Sequence, residues 1–336
     1  MEAAGCSLSG RPDTASSKRP HRVGRNGRSM ATAQLTPVGV GIQNVLIATD
    51  FSRYSNTALN FGLQVAKAYS AQAHVVFVIP TDQFLLAGPE AYVAAKDAAG
   101  RDLEQLQAEL HRTHLQVQGE DYHLYLLEGD VAQSILDFAQ QKRIDLIVLG
   151  THGRGGLGKA LMGSVAERVF RQSPVPVLTL GPHLLRPTRD NGPKNILVAA
   201  DFTPASARAA RYAAMLAREN KAKLTLLHVV DRKKLEHVPD PAAVKRGIER
   251  RLADLLGAEG DAVDYAVQVE VGPVVPAILH TLNERGADLL VIGVHRSSSV
   301  LDRLMFPHAY ELVCESSCPV LTLRGGQAAA RTNELK

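Results

Sequence analysis

Two long segments of this 336-residue chain are built on one plan. Asn44-Val-Leu-Ile-Ala-Thr-Asp50-Phe51-Ser52 returns as Asn195-Ile-Leu-Val-Ala-Ala-Asp201-Phe202-Thr203. Asp145-Leu-Ile-Val-Leu-Gly150 returns as Asp288-Leu-Leu-Val-Ile-Gly293, and Pro174-Val-Pro-Val-Leu-Thr-Leu180 as Ser317-Cys-Pro-Val-Leu-Thr-Leu323. Matched residues lie 151 apart at the opening and 143 apart at the close, so the second copy is eight residues shorter in its middle. A period of this length makes each copy a domain. The expected organisation is a tail over 1–43, domains over 44–181 and 195–324, a linker over 182–194 and a flexible tail over 325–336.

Each copy alternates short β-branched apolar runs with amphipathic stretches. In the first copy strands fit 44–49, 73–79, 121–127, 144–149 and 175–180. Helices fit 53–68, about 92–113, 131–141 and 159–172. A nearly continuous apolar strand belongs to a parallel sheet covered on both faces. Strand–helix alternation with right-handed crossovers gives an α/β fold, here two tandem doubly wound sheets of five parallel strands. Ser52 reads as a helix N-cap, and Thr203 repeats it with Pro204 at the first helical position. Leu103, Leu106 and Leu110 share a helix face that should pack on the sheet. The linker holds Pro182, Pro187 and Asp190-Asn191-Gly192 and reads as extended and exposed.

A hydrophobic content of 45% is ample for two cores, and no apolar run approaches the roughly 18 residues of a membrane span. The net charge of +4 sits wholly in the first 43 residues, where Arg11, Lys18, Arg19, Arg22, Arg25 and Arg28 face only Glu2 and Asp13. The neutral remainder argues against a nucleic-acid surface. The tail lacks a hydrophobic period and a secretory core and reads as disordered and inert, with Met30 as an alternative start. Cys6, Cys314 and Cys318 make no disulfide framework, which fits a reducing cytoplasm; the latter two read as buried small side chains.

The chemistry gathers after the fourth strand, in Gly150-Thr151-His152-Gly153, nine further residues, then Gly163-Ser164. Glycines let a backbone approach a phosphate and reach φ values that other residues avoid, and a helix N-terminus favours anions. Gly153-Arg-Gly155-Gly-Leu-Gly158 spells a dinucleotide fingerprint, but it follows the wrong strand, and no acidic residue ends the next one. Gly153 to Lys159 spells most of a P-loop, but Ala160 stands where a hydroxyl should bind Mg²⁺. The remaining pattern, Gly150-x₂-Gly153-x₉-Gly163-Ser164 after an Ile-Ala-Thr-Asp50-Phe-Ser opening, resembles the universal stress protein family in its ATP-binding branch. The resemblance covers both copies.

That resemblance implies an adenine nucleotide alpha hydrolase-like fold with strand order 3-2-1-4-5, in which Asp50 and Gly150 meet at the topological switch point. It implies that Ala48, Thr49 and Asp50 line an adenosine pocket, with Asp50 bonding the nucleoside and Val78 against adenine. Gly150 and Gly153 would pass close to ribose and phosphates, Gly163 and Ser164 would hold the phosphates, and His152 and Arg154 would add hydrogen bonding and charge. In the second copy Gly293 remains, but Arg296 replaces the second glycine and Phe306-Pro307 replaces Gly-Ser. The expected cofactor is ATP, with or without Mg²⁺, in the first domain only. The expected function is an ATP-binding stress-response or signalling protein, cytoplasmic, without nucleic-acid or membrane partners. The last strands of the two domains are candidates to pair with each other, with a further homodimer as an option. A slow ATPase or nucleotidyl-transferring enzyme and a ligand-free interaction module are the alternatives; no acid/base constellation supports the enzyme.

Overall fold

The opening strand of each repeat shows why the apolar runs are unbroken. In β1 (Asn44–Ala48), Val45 and Ile47 face one helical layer and Leu46 the other, and all three are fully buried. The computed structural model describes residues 40–84, 87–112, 122–151, 162–184, 192–236, 238–294 and 307–325. The first repeat continues with α1 (Arg53–Ala68), β2 (Gln72–Pro80), α2 (Pro89–Arg112), β3 (Tyr122–Gly129), α3 (Val131–Gln141), β4 (Leu146–Gly150), α4 (Ser164–Gln172) and β5 (Val177–Leu180). The second contains β6 (Asn195–Ala199), α5 (Pro204–Asn220), β7 (Lys223–Val230), α6 (Pro241–Asp254), β8 (Tyr265–Val271), α7 (Val274–Glu284), β9 (Leu289–Val294), α8 (Pro307–Glu315) and β10 (Val320–Arg324). Strand order is β3-β2-β1-β4-β5 in the first repeat and β8-β7-β6-β9-β10 in the second, and neighbours within each repeat run parallel. Among the described residues no helix is long and apolar enough to cross a membrane.

The two sheets join through an antiparallel pair. Leu178 lies opposite Leu321, Val177 opposite Thr322 and Thr179 opposite Val320. Leu178 and Leu321 are equivalent in the two copies, so the register places a pseudo-two-fold axis between them. The pair is therefore self-complementary in the way of an isologous interface, and each edge strand covers the other. The Thr322 hydroxyl donates to the Val177 carbonyl at 3.2 Å. At the far end of α1, Tyr69 accepts from the Asn220 amide at 3.0 Å, again across equivalent positions.

Local chemistry explains the element ends. The Ser52 hydroxyl accepts the Ser55 N–H and the Thr203 hydroxyl the Ser206 N–H, as N-caps. Leu106 and Leu110 are buried, and Leu103 packs against Phe77 and Ile79. β5 begins at Val177 and not 175 because Pro174 and Pro176 have no N–H for a ladder. α4 begins at Ser164, later than the expected 159. The described residues begin ahead of the tail boundary expected at residue 43. Ile42 is buried in the core, and the Gln43 N–H donates to Asp145 at 2.9 Å. The linker departs from the exposed segment expected: 182–184 and 192–194 are half-buried, and Leu184 packs on the core. Residues 1–39, 185–191 and 326–336 lie outside the described residues. Cys314 and Cys318 are buried small side chains.

One buried polar group in the first repeat has a pH consequence. His74 on β2 is 3% exposed, between Asn44 at 3.1 Å and the Tyr125 hydroxyl at 3.3 Å. Asn44 Oδ1 only accepts, so Nε2 carries the proton and Nδ1 accepts from Tyr125. Burial first, then the charges of His123 and Lys142, lower the imidazole pKa from 6.5 to about 4. In that window the unfolded chain holds a proton that the folded chain refuses. Stability falls as pH drops from 6.5 to 4, by about 1.4 kcal/mol per pH unit at most. Urea unfolding at pH 7 and pH 5 should show this loss, and His74→Gln should reduce it. An equal loss in both proteins would rule His74 out as its source.

Candidate functional site

Strand order reverses between β1 and β4, and the C-terminal ends of these neighbours diverge into a crevice, the place where such sheets bind ligands. A cavity of about 780 Å³ occupies it. Ala48, Thr49 and Asp50 line it from β1, Val78 from β2, Gly150 from β4, and Gly163 and Ser164 from the start of α4. Seven of the ten residues expected to bind nucleotide thus share one cavity. His152, Gly153 and Arg154 lie outside the described residues. Sequence reasoning missed Ser55, Thr151 and Met162, which also line the cavity. Ser55 carried a signal, since Ser206 matches it in the second repeat.

The β1–α1 turn is held by its own side chains. Thr49 is buried; its hydroxyl accepts the Phe51 N–H at 3.1 Å and donates to Ser55 Oγ at 3.2 Å. Ser55 Oγ accepts the Asp50 N–H at 3.3 Å, and Asp50 Oδ1 accepts the Ser52 N–H at 3.0 Å. Phe51 sits at φ 60°, a conformation costing a non-glycine residue about 1 kcal/mol or more, and its ring packs at a tilt against Phe77, centroids 5.0 Å apart. These contacts fix the direction of Asp50 at the cavity wall.

The end of the cavity at α4 is built on backbone. The Thr151 N–H donates to the Leu180 carbonyl at 3.0 Å, and the Thr151 carbonyl accepts the Gly163 N–H at 2.7 Å. This pair brings the start of α4 beside the end of β4. Gly163 is the N-cap of α4 and makes no side-chain cap bond. The leading N–H groups of a helix have no intrahelical acceptor, and here the first turn, Ser164 to Ala166, lines the cavity. Gly163 has φ −61° and ψ 147°, which any residue adopts, so its conformation does not demand glycine. Beside this turn, the Arg168 guanidinium binds both oxygens of Asp130 at 2.7 Å and clamps α4 to the N-cap of α3. The Gln133 N–H and then Arg168 hold the Asp130 carboxyl below its ordinary pKa.

Gly150 has a reason to be glycine that involves no ligand. A Cβ there would lie 3.0 Å from the Tyr54 carbonyl oxygen, where α1 crosses the end of β4. Gly293 is tighter still, with a Cβ 2.4 Å from Ala205 C and Ser206 N of α5. The shared helix crossing explains why this glycine persists in the second repeat after the rest of the motif has gone.

The second repeat uses the matching place differently. Asp201 Oδ1 accepts from the Thr203 N–H at 3.1 Å, the Thr203 hydroxyl at 2.6 Å and the Ser206 hydroxyl. Phe202, at φ 63°, is packed between the His228 ring at 4.5 Å and the Arg251 guanidinium at 4.1 Å. α8 opens on Pro307, which offers no N–H. Arg296 and Phe306 lie outside the described residues.

Known proteins match the same two segments. The profile of the Universal stress protein family matches residues 41–180 and 192–324. A universal stress protein of Methanocaldococcus jannaschii is 31% identical over 138 residues, 41% of this chain and 81% of that protein. Another, from Thermus aquaticus, is 32% identical over 136 residues, 40% of this chain and 96% of that protein. The crystal structure of a universal stress protein from Archaeoglobus fulgidus shares the fold with a TM-score of 0.66 at 24% identity, over 86% of this chain and 99% of that one. With both repeats matched by one profile, the chain belongs to the universal stress protein family.

Proposed function

We propose that this chain is a stress-response protein that binds one ATP, in the first repeat, and that the second repeat is its built-in structural or interaction partner. The observation that carries this reading is the 780 Å³ cavity at the switch point, which combines an apolar wall at Val78 and Leu149 with the first turn of α4, whose N-cap glycine supplies no side-chain cap. Adenine would lie against Val78, and Asp50 would bond the nucleoside. Ser164 and the leading N–H groups of α4 would take the phosphates, and Gly163, whose own N–H is held by the Thr151 carbonyl, would let them approach the backbone closely, which suits a fixed anion at a helix start. His152, Gly153 and Arg154 would close the loop over them. Among the described residues the second repeat departs from this combination at the start of α8, where Pro307 offers no N–H. The domain limits proposed for these roles are 44–181 and 195–324, the first extended to include Ile42.

Calorimetry with ATP should give a stoichiometry near one per chain. A value near two, or no heat of binding at all, would count against the reading. Mass spectrometry of small molecules released from freshly purified protein should find an adenine nucleotide. Steady ADP production that Ser164→Ala abolishes would replace the binding role with an ATPase.

A further inference from the structure

The second repeat reaches the phosphate end of the cavity in the first. The peptide of Met162 hands the loop over to Gly163 and so to α4. The Tyr310 hydroxyl, on α8, donates to the Met162 carbonyl at 3.1 Å. Cys314, one turn further along α8, presents its thiol to the Met162 backbone. Burial pushes this thiol up to about 11, so it is neutral at pH 7 and serves as a packing surface. Tyr310 and Cys314 are four residues apart and share a helix face. The Met162 side chain is buried in the same apolar layer as Leu312, Val313 and Cys314. Glu167 is the equivalent of Tyr310 on α4, so the first repeat has no matching phenol to offer in return.

We propose that Tyr310 is a positioning residue for the phosphate end of the cavity. Held by Tyr310 on one side and by the Thr151–Gly163 bond on the other, the segment Met162-Gly163 has a fixed direction. That direction aims the leading N–H groups of α4 into the cavity. The second repeat thereby sets how tightly the first holds a triphosphate, and by linkage a bound triphosphate tightens the contact between α8 and the loop. This inference rests on the reading that the cavity takes ATP.

The test compares the full-length chain with Tyr310→Phe, which removes only the hydroxyl. Calorimetry is run with ATP and with adenosine. The expected result is ATP binding weaker by about three- to tenfold, the worth of one neutral hydrogen bond, with adenosine affinity unchanged. Tyr69→Phe is the control for general loosening between the repeats, because it removes a cross-repeat bond at the opposite end of α1. It should leave ATP affinity unchanged. Amide exchange at Ser164 to Ala166 in the nucleotide-free chain gives a second readout and should quicken in Tyr310→Phe. Unchanged ATP affinity, unchanged exchange, or equal weakening of ATP and adenosine would each overturn the positioning role. If the wild-type chain binds no ATP, the proposed function falls together with this inference. If it binds ATP and Tyr310→Phe binds it equally well, only this inference falls.

Discussion

Gly163→Val is expected to weaken ATP binding by roughly 100-fold while lowering the melting temperature by only a few degrees. The two effects have separate causes. Gly163 has φ −61° and ψ 147°, a region that valine favours, so the backbone accommodates the change. The stability cost is that of exchanging an acceptable N-cap residue for a poor one, about 1 kcal/mol, which moves the melting temperature by roughly 2–4 °C. Gly163 lines the cavity at the first turn of α4, and a branched side chain there crowds the space a phosphate would occupy. Overpacking a fitted site costs about 1–3 kcal/mol, and the upper value corresponds to roughly 100-fold in affinity. Calorimetry on the two proteins checks the affinity and thermal unfolding checks the fold. Arg296→Ala, at the degenerate position of the second repeat, should leave ATP affinity unchanged. If Gly163→Val binds ATP as the wild type does, the phosphates do not lie at the start of α4.

Much of the fold was legible because its determinants are local. Continuous apolar runs such as Val45-Leu46-Ile47 announce strands buried on both faces, and Ser52 and Thr203 announce helix starts. The prolines at 174 and 176, which lack an N–H, also mark where β5 starts. The meeting of Asp50 with Gly150 was of another kind. It follows from strand order, which spacing in the chain does not encode, and it was reached only through the family resemblance. The Tyr310–Met162 bond spans 148 residues and has no sequence signature, because it depends on how β5 and β10 align two finished domains. Ile42 escaped notice for a simpler reason. Val38, Val40 and Ile42 alternate with Gly39 and Gly41, and a glycine at every second position reads as tail and not as strand, although the core accepts Ile42. The glycines illustrate the remaining difficulty: sequence marks Gly150 and Gly163 as equals, whereas in the fold a helix crosses close against one and the other has a φ and ψ that any residue adopts.

That distinction gives a large expected stability effect, and it lies in the repeat without the nucleotide motif. Gly293→Ala is expected to destabilise the chain by about 3 kcal/mol, lowering the melting temperature by roughly 5–10 °C. The added Cβ would stand 2.4 Å from Ala205 C and Ser206 N and 2.6 Å from the Ala205 carbonyl oxygen. These are backbone atoms and cannot rotate away. Relief requires α5 to move off the sheet, and its buried face leaves no slack: Ala205, Ala209, Ala210 and Ala213 are fully buried against it. Closely packed interiors pass such a displacement on to their neighbours instead of absorbing it. Gly150→Ala should cost less, about 1 kcal/mol, because the nearest atom is the Tyr54 carbonyl oxygen at 3.0 Å and a small shift relieves it. Urea unfolding of both variants without nucleotide checks the order. ATP binding then separates the roles: Gly150→Ala should weaken it, since relieving the contact shifts the start of α1, where Ser55 lines the cavity, whereas folded Gly293→Ala should bind as the wild type does. A Gly293→Ala protein as stable as the wild type would mean that α5 does not cross β9 so closely, and that the retained glycine needs another explanation.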